Sequence, residues 1–422
     1  MLRVAVVGAG LAGLCLAQGL RRDGIEVTVY ERDADLSVRG QGYRLHLDAR
    51  AGLALQHCLG EEAFALFLAS VGEPGRAVTV LDHRLRVVRR LEGGPARSAA
   101  AGLAPQSLSV SADRRTLREV LAFGLDDVLR FSHEFVSYEA REPVGPGAAG
   151  GDGVVLRFAD GRSASADVLV GADGAHSVVR RQFLPGARVE DTGARCVYGR
   201  TLLSALDQVD LPGCFADGFT AVTAGRLGLA CGMHRYRSSF DDLATCWPQA
   251  RLTPQPDYLM WALSGRGPDL PVADAALRTL GPAALHDRVI RAVSGWHPTV
   301  RQVIERATVA DTQLIQVHAA GIPTSPWTPT RVTVIGDAIH AMSPARGSGA
   351  NTALADAARL ASALAAVTQE TPESTGTGLL TRIGHSEADL RRIGDEAVAA
   401  ARQAEMRYGR PPRWLRLFTR HS

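Results

Sequence analysis

The chain of 422 residues is 46% hydrophobic and 22% charged, with a formal net charge of +3. That balance describes a globular protein with a large core and excludes the basic surface that nucleic acid requires. Lysine is absent, so arginine supplies every fixed side-chain cation, and the 6 cysteines stand singly with no CxxC spacing. This excludes the usual zinc and thioredoxin patterns, and no metal site is expected; free, mostly buried thiols fit a reducing compartment. No apolar run approaches membrane-spanning length, and the chain opens directly on a strand pattern. A cytoplasmic location without a leader is therefore the expectation.

Leu2–Val7 is short, apolar and β-branched, the pattern of a buried parallel strand. Gly8-Ala9-Gly10-Leu11-Ala12-Gly13 follows, then a helical pattern to about Arg22, a stop at Gly24, and a strand over Ile25–Tyr30 that leads into Glu31 and Arg32. In such a unit Gly8 permits the tight turn, Gly10 lets backbone amides approach a pyrophosphate, and Gly13 lets the helix pack closely on the sheet. The helix start at Leu11 and Ala12 directs its dipole at the phosphates. The Glu31 carboxylate is placed to accept both ribose hydroxyls and would repel a 2′-phosphate, so this site suits FAD or NAD rather than NADP.

Arg39 precedes a loop at Gly40–Gly42, and Tyr43–Asp48 reads as extended, with Arg44, His46 and Asp48 on one face. That face either borders a cofactor or is half-exposed and polar. Helical patterns follow at Ala51–Cys58 and Glu61–Ser70, then a hairpin over Val78–Leu91 and a small-residue loop over Glu92–Ala104. Asp113 caps a helix carrying Arg114, Arg115, Leu117 and Leu121. A meander is predicted over Leu129–Tyr138 and Val154–Phe158, with a turn at Ala159–Gly161. A strand over Ala166–Val170 enters a second glycine-rich run, Gly171-Ala172-Asp173-Gly174-Ala175-His176-Ser177, which ends at Arg180.

From Leu184 to Ala310, alternating runs at Ala194–Leu203, Leu227–Tyr236 and Tyr258–Leu263 predict an antiparallel sheet. Helical stretches at Ala275–Leu280 and Leu285–Val293 accompany it. Arg331–Ile335 is another parallel-type strand, before a third run, Gly336-Asp337-Ala338-Ile339-His340. Pro344–Asn351 opens a helix to about Val367, and a helical tail follows the Thr371–Gly378 break.

These three signatures in this order, with a sheet region between them, resemble the class A FAD-dependent aromatic hydroxylases typified by p-hydroxybenzoate hydroxylase. The likeness covers nearly the full chain. It implies an α/β fold: a Rossmann-type FAD-binding domain (GR2-like) interrupted by a mixed or antiparallel substrate sheet, with C-terminal helices. The corresponding division is 1–75, 106–183 and 311–367 for FAD binding, 76–105 and 184–310 for the substrate domain, and 368–422 for the helical tail.

The resemblance further implies non-covalent FAD, held by Gly8, Gly10, Leu11, Ala12, Gly13, Glu31 and Arg32. Arg39 and Arg114 would reach the FAD, with Arg115 competing for the second role. Asp173 would lie near the ribose–pyrophosphate and Asp337 on a ribityl hydroxyl. Pro344, Gly347, Gly349, Ala350 and Asn351 would follow the flavin's pyrimidine edge, where a helix N-terminus stabilises the charge of reduced flavin. Ser348 stands where the family usually carries Gln. Arg180 is either a phosphate or carboxylate anchor or a structural group, and His340 reads as structural rather than as a base.

NAD(P)H is implied as reductant and O₂ as oxidant, with a C4a-hydroperoxyflavin hydroxylating an aromatic or polyketide-like molecule. Baeyer–Villiger, epoxidising and amine-oxidising outcomes stay open, as does a non-redox cyclase or isomerase. The absence of lysine counts against a flavin halogenase. Arg44, His46 and Tyr236 are the catalytic candidates, and Tyr198, Arg200, Met233, His234, Arg235 and Trp261 are further pocket candidates. A bacterial secondary-metabolite tailoring enzyme of the antibiotic-biosynthesis type, monomeric or homodimeric, is the expected setting.

Overall fold

The computed structural model describes residues 1–38, 43–92, 103–141, 153–266, 277–368 and 375–407. Its first layer is a parallel sheet whose strands come from distant parts of the chain. β1 (Arg3–Val7) lies between β2 (Glu26–Tyr30) and β11 (Val168–Gly171), while β7 (Leu129–Arg130) and β17 (Val332–Val334) form the two edges. Val4, Val6, Val29, Leu169, Val170 and Val334 are buried, as strands covered on both faces require. α1 (Leu11–Arg22) is buried from Leu11 through Leu20. At Gly19 an added Cβ would lie 2.8 Å from the Ala361 methyl, so glycine lets α1 meet the later helix closely. The chain then leaves α1 through Gly24, whose φ is +72°.

The second layer is a seven-stranded sheet ordered β16 (Gln313–Ala320), β12 (Val189–Leu202), β15 (Tyr258–Arg266), β14 (Leu227–His234), β13 (Gly218–Ala224), β4 (Ala77–Asp82), β5 (Val87–Glu92). Its pairs are antiparallel except β13 with β4. One face carries Val197, Leu229, Leu259, Trp261 and Leu263. It packs on Val289, Val300 and Val303, which belong to the helices Pro282–Ala292 and Pro298–Glu305.

Between the layers, β3 (Arg44–Asp48) and β6 (Ser109–Asp113) form an antiparallel pair. Each feeds a helix through an aspartate cap. Asp48 accepts from the Arg50 amide ahead of α2 (Ala49–Cys58), and Asp113 accepts from the Arg115 and Thr116 amides ahead of α4 (Arg114–Ala122). α3 (Glu61–Ser70) lies between these two helices in sequence. A three-stranded meander of β8 (Phe135–Arg141), β9 (Gly153–Phe158) and β10 (Ser163–Ala166) flanks the parallel sheet. Two long helices, Gly349–Thr368 and Thr375–Arg407, close the chain as described.

Several sequence expectations change here. Leu129–Tyr138 is not one strand: its start joins the parallel sheet, and Ser132, at φ +55°, turns the chain before β8 begins. Ala166–Val170 likewise divides between two sheets. Asp167 sits at the break, its amide bonded to the Arg3 carbonyl at 2.8 Å and its carboxylate to the Arg3 guanidinium at 2.9 Å. β13 and β16 were not read from the sequence, and β16 lies past residue 310, so the sheet extends into the stretch assigned to FAD binding. The Glu92–Ala104 loop falls mostly outside the described residues, as does the start of the Ala275–Leu280 stretch.

Candidate cofactor and substrate site

The first signature folds into a turn that only small residues fit. Gly8 has φ +105°, and a Cβ there would lie 2.5 Å from the Ala172 carbonyl oxygen; a Cβ on Gly13 would lie 2.0 Å from the Gly8 oxygen. Gly10 differs. It caps α1 with no side-chain bond, and a Cβ there would meet nothing within 4 Å. The amides that open α1, at Leu11 and Ala12, follow directly on that open position, with no acidic residue in the first turn.

Glu31 directly follows β2 as a buried carboxylate. Its Oε2 accepts from the Ala9 amide at 2.9 Å and from Arg118 at 3.4 Å, and its Oε1 accepts from the Asp33 amide at 3.2 Å. Arg118 also donates to the carbonyls of Ala9 at 2.7 Å and Leu36 at 3.0 Å. It was missed from sequence, although its place one turn after Arg114 on the same helix was a usable signal. Arg32 is exposed beside Glu31, and Arg39 lies outside the described residues.

The second signature packs against the first. The Asp173 Oδ2 accepts from the amides of Val178 at 2.7 Å and Val179 at 3.3 Å, so it caps α5 (Val178–Phe183). Its Oδ1 is buried with no hydrogen-bond partner among the described residues. This shifts the expected role: one oxygen is committed to the fold, and only the other is left for a ligand. Burial raises the Asp173 pKa, against the helix-start bonds that favour its charge. Arg180 donates to the carbonyls of Ala175 at 2.9 Å and Ala338 at 2.8 Å, tying the second signature to the third through backbone.

In the third signature Gly336 takes φ +62°, with a hypothetical Cβ 3.2 Å from the methyls of Ala12 and Ala353. Asp337 follows as an exposed carboxylate whose charge acts on the half-buried Arg114. Burial pulls the Arg114 pKa down, while Asp337 and Tyr198 favour its charge. Arg115 instead pairs with Glu119 at 3.0 Å and bonds Thr253 at 2.9 Å, away from this cluster. Pro344 and Gly347 are exposed, Gly347 at φ +62°, and Gly349 and Ala350 are half-buried at the start of their helix.

The Asn351 side chain is not free for a flavin. It donates to the carbonyls of His46 at 2.9 Å and Gly347 at 3.0 Å and accepts from the Asp48 amide at 2.8 Å, so it holds the loop against β3. His340 is buried and bonded to Asp356, which also accepts from the Gly336 amide at 3.1 Å. Burial opposes the imidazolium, but the charge and hydrogen bond of Asp356 outweigh it and raise the His340 pKa.

The seven-stranded sheet turns its other face to this cluster. The register aligns Tyr198 with Ala262, Ala262 with Ala230, and Ala230 with Ala221; one step along, it aligns Met260 with Gly232 and Gly232 with Phe219. These positions share a face, and most are small, so they floor a space rather than fill it. At its rim the Tyr198 hydroxyl donates to Gln313 at 2.8 Å. Arg200 pairs with Asp311 at 2.7 Å and lies over the Tyr43 ring, 5.0 Å from its centroid. Arg44 reaches from β3 over Gly232, and its Nε donates to the Met233 carbonyl at 3.0 Å; burial pulls its pKa down to about 10.

The remaining candidates lie elsewhere. Trp261 belongs to the core on the opposite face, where Met233 packs as well, and Arg235 is exposed. His234 is buried on Ser111 at 3.0 Å and pushed down to about 3 by burial. Tyr236 is bonded to Thr116 at 3.1 Å and lodged against His234 and Phe240, which makes it a joint between layers rather than a catalytic group. The His46 side chain is exposed at the edge of β3.

An FAD-binding-domain family model matches residues 294–380, and an NAD(P)-binding Rossmann-like model matches residues 6–70. A 3-amino-4-hydroxybenzoate 2-monooxygenase of Streptomyces platensis, PtnB3, is 32% identical over 86% of this chain and 80% of its own length. The chain belongs to the FAD-dependent monooxygenases. A solved structure described as an FAD-containing monooxygenase of Photorhabdus luminescens superposes with a TM-score of 0.77 at 29% identity, covering 96% of this chain and 98% of the other. The dual O-methyltransferase/FAD-dependent monooxygenase elcB of Phaeosphaeria nodorum is 32% identical over 88% of this chain but only 41% of its own length. The chain thus spans about two fifths of the first curated relatives it matches.

The residues present fit FAD. The helix start after Gly10, the orphaned Asp173 Oδ1 and the Asp337 carboxylate come one from each of the three signatures, and the Arg114 charge lies near enough to Asp337 to feel it. Among the described residues no helix is long and apolar enough to cross a membrane.

Proposed function

We propose that this monooxygenase uses NAD(P)H and O₂ to hydroxylate an aromatic or polyketide-like molecule in a tailoring step of bacterial secondary metabolism. The observation that carries the reading is the small-residue floor of Ala221, Ala230, Gly232 and Ala262, which meets β3 through Arg44 over Gly232, β3 being the strand that Asn351 ties to its own loop. Flat ring systems fit such a floor, and the Tyr198, Met260 and Phe219 side chains on the same face exclude water from it. Bound FAD would supply the redox chemistry, two-electron transfer from the nicotinamide and activation of O₂.

The protein's own work is placement. The α1 amides and Arg114 would hold phosphate charge, and Glu31 would hold the adenosine ribose. Asp337 would hold a ribityl hydroxyl, and the start of the helix Gly349–Thr368 would stabilise negative charge on the pyrimidine edge. The activity in the name of PtnB3, on 3-amino-4-hydroxybenzoate, supports a phenolic substrate.

The test is NADH and NADPH oxidation by the holoprotein over a panel of mono- and polycyclic phenols, with product mass read on each hit. Substrate-dependent oxidation with a gain of one oxygen is the expected result. Turnover of a substrate without reductant consumption would instead assign a cyclase or isomerase that retains FAD for structure.

A further inference from the structure

The last helix, Thr375–Arg407, lies on the fold through Ile383, Glu387, Leu390, Gly394, Val398 and Ala401, spaced three and four residues apart as the buried face of an amphipathic helix. All but Glu387 are apolar or glycine. Glu387 is nevertheless only 1% exposed, and among the described residues neither of its oxygens has a hydrogen-bond partner. Its polar neighbours are the Trp327 indole and the Thr333 hydroxyl of β17. The Trp327 Nε1 is likewise buried without a hydrogen-bond partner among the described residues. Arg391, one turn along the helix, lies over the Trp327 ring, 4.7 Å from its centroid, and is the one charge acting on Glu387 among the described residues. Farther along, Asp395 is taken by the Thr324 amide at 2.9 Å and hydroxyl at 2.7 Å, and His340, paired with Asp356, lies beneath Gly394. His385 and Asp389 are exposed.

A carboxylate in such a place gives up its hydration with little in return, whereas the neutral acid costs far less to bury. Burial accordingly pushes the Glu387 carboxyl above its ordinary 4.5, against the smaller pull of Trp327, Thr333 and Arg391. The same helix backs the cofactor half of the protein. A Cβ on Gly394 would lie 3.1 Å from both Cβ and Cδ2 of His340, the Arg402 guanidinium donates to the Ala320 carbonyl at 2.6 Å, and the Pro344–Arg346 turn touches the helix. We propose that Glu387 is a pH-sensitive joint, docked as the neutral acid and ionised when the helix lifts, so that rising pH loosens the last helix from β17 and from His340. The proton goes to solvent as the helix lifts, where the carboxyl returns to about 4.5. Docking is therefore strongest below that value and is lost as pH rises through the docked value, by up to about tenfold per pH unit.

The test is amide hydrogen exchange of the FAD-loaded protein at low and at mildly alkaline pH, corrected for intrinsic exchange and read over the helix from Leu379 to Ala401. The His340–Asp356 pair adds a pH slope of its own, so the quantity read is protection in Glu387→Gln relative to wild type. That ratio should rise about tenfold or more with pH, because the neutral side chain cannot ionise. Glu387→Met, which fills the same place with an apolar side chain, should behave alike. A ratio that stays constant with pH in both variants, or one that falls, overturns the assignment. So does failure of both variants to fold, since that would show the fold to need the charge. The readout involves no turnover and stands whether or not the hydroxylase reading does.

Discussion

Glu31→Ala separates what the carboxylate does for the fold from what it does for the cofactor. In the protein alone Oε2 satisfies the Ala9 amide at 2.9 Å, inside the glycine turn, and helps fix Arg118. Truncation strands that buried amide, a loss of about 1–3 kcal/mol. In a chain of this size each kcal/mol lowers Tm by no more than roughly 2–4 °C. On the proposal that Glu31 also holds the adenosine ribose, each charge-assisted bond lost there costs about 1.5–3 kcal/mol, or roughly ten- to a hundredfold in Kd.

Glu31→Gln provides the control. Its amide oxygen still accepts from Ala9, so stability without FAD should recover, while FAD affinity recovers only in part because the charge is gone. The assay is thermal melting of the flavin-free protein together with FAD titration followed by fluorescence quenching. If both variants bind FAD within twofold of wild type, the ribose is held elsewhere and the assignment of Glu31 is wrong.

Arg114→Ala and Asp337→Ala should each lower flavin occupancy after purification without changing which substrate is accepted. Full occupancy with an altered substrate preference would move either residue to the substrate side. Gly349→Val should leave the flavin-free protein within about 1 kcal/mol of wild type, because the nearest atom to a Cβ there is 3.8 Å away. In the loaded enzyme it should slow flavin reduction by crowding the pyrimidine edge, and an unchanged stopped-flow rate would remove that edge from this loop.

The His340–Asp356 pair sets a pH dependence. With the folded His340 pKa raised, its contribution is fully present below the unfolded value of about 6.5 and is lost as pH rises through the folded value. The stability difference between wild type and His340→Gln should therefore shrink with rising pH. A difference that stays constant in denaturant melts would show that the pair does not titrate there.

The cofactor half of this protein was legible in the chain because its rules are local. A β-branched run, a glycine turn and a helix start occupy consecutive residues, so Gly8–Gly13, Glu31 and the Gly336-Asp337 pair stand out without a fold. The cap at Asp113 was readable for the same reason. What tertiary structure decided were the choices made between distant segments. The Asn351 amide bonds β3 from across the molecule, and Arg118 stitches Ala9 to Leu36. None of these partners lies in the same local motif, and a polar side chain reads alike whether it meets ligand, backbone or solvent. The sheet floor shows the same division. Alternation predicted strands at Tyr258 and Leu227, but only the pairing register put Ala230 beside Ala262 and left Gly232 bare beneath Arg44. Strand pattern is a property of a few residues, whereas register and facing depend on which segments come together across the fold.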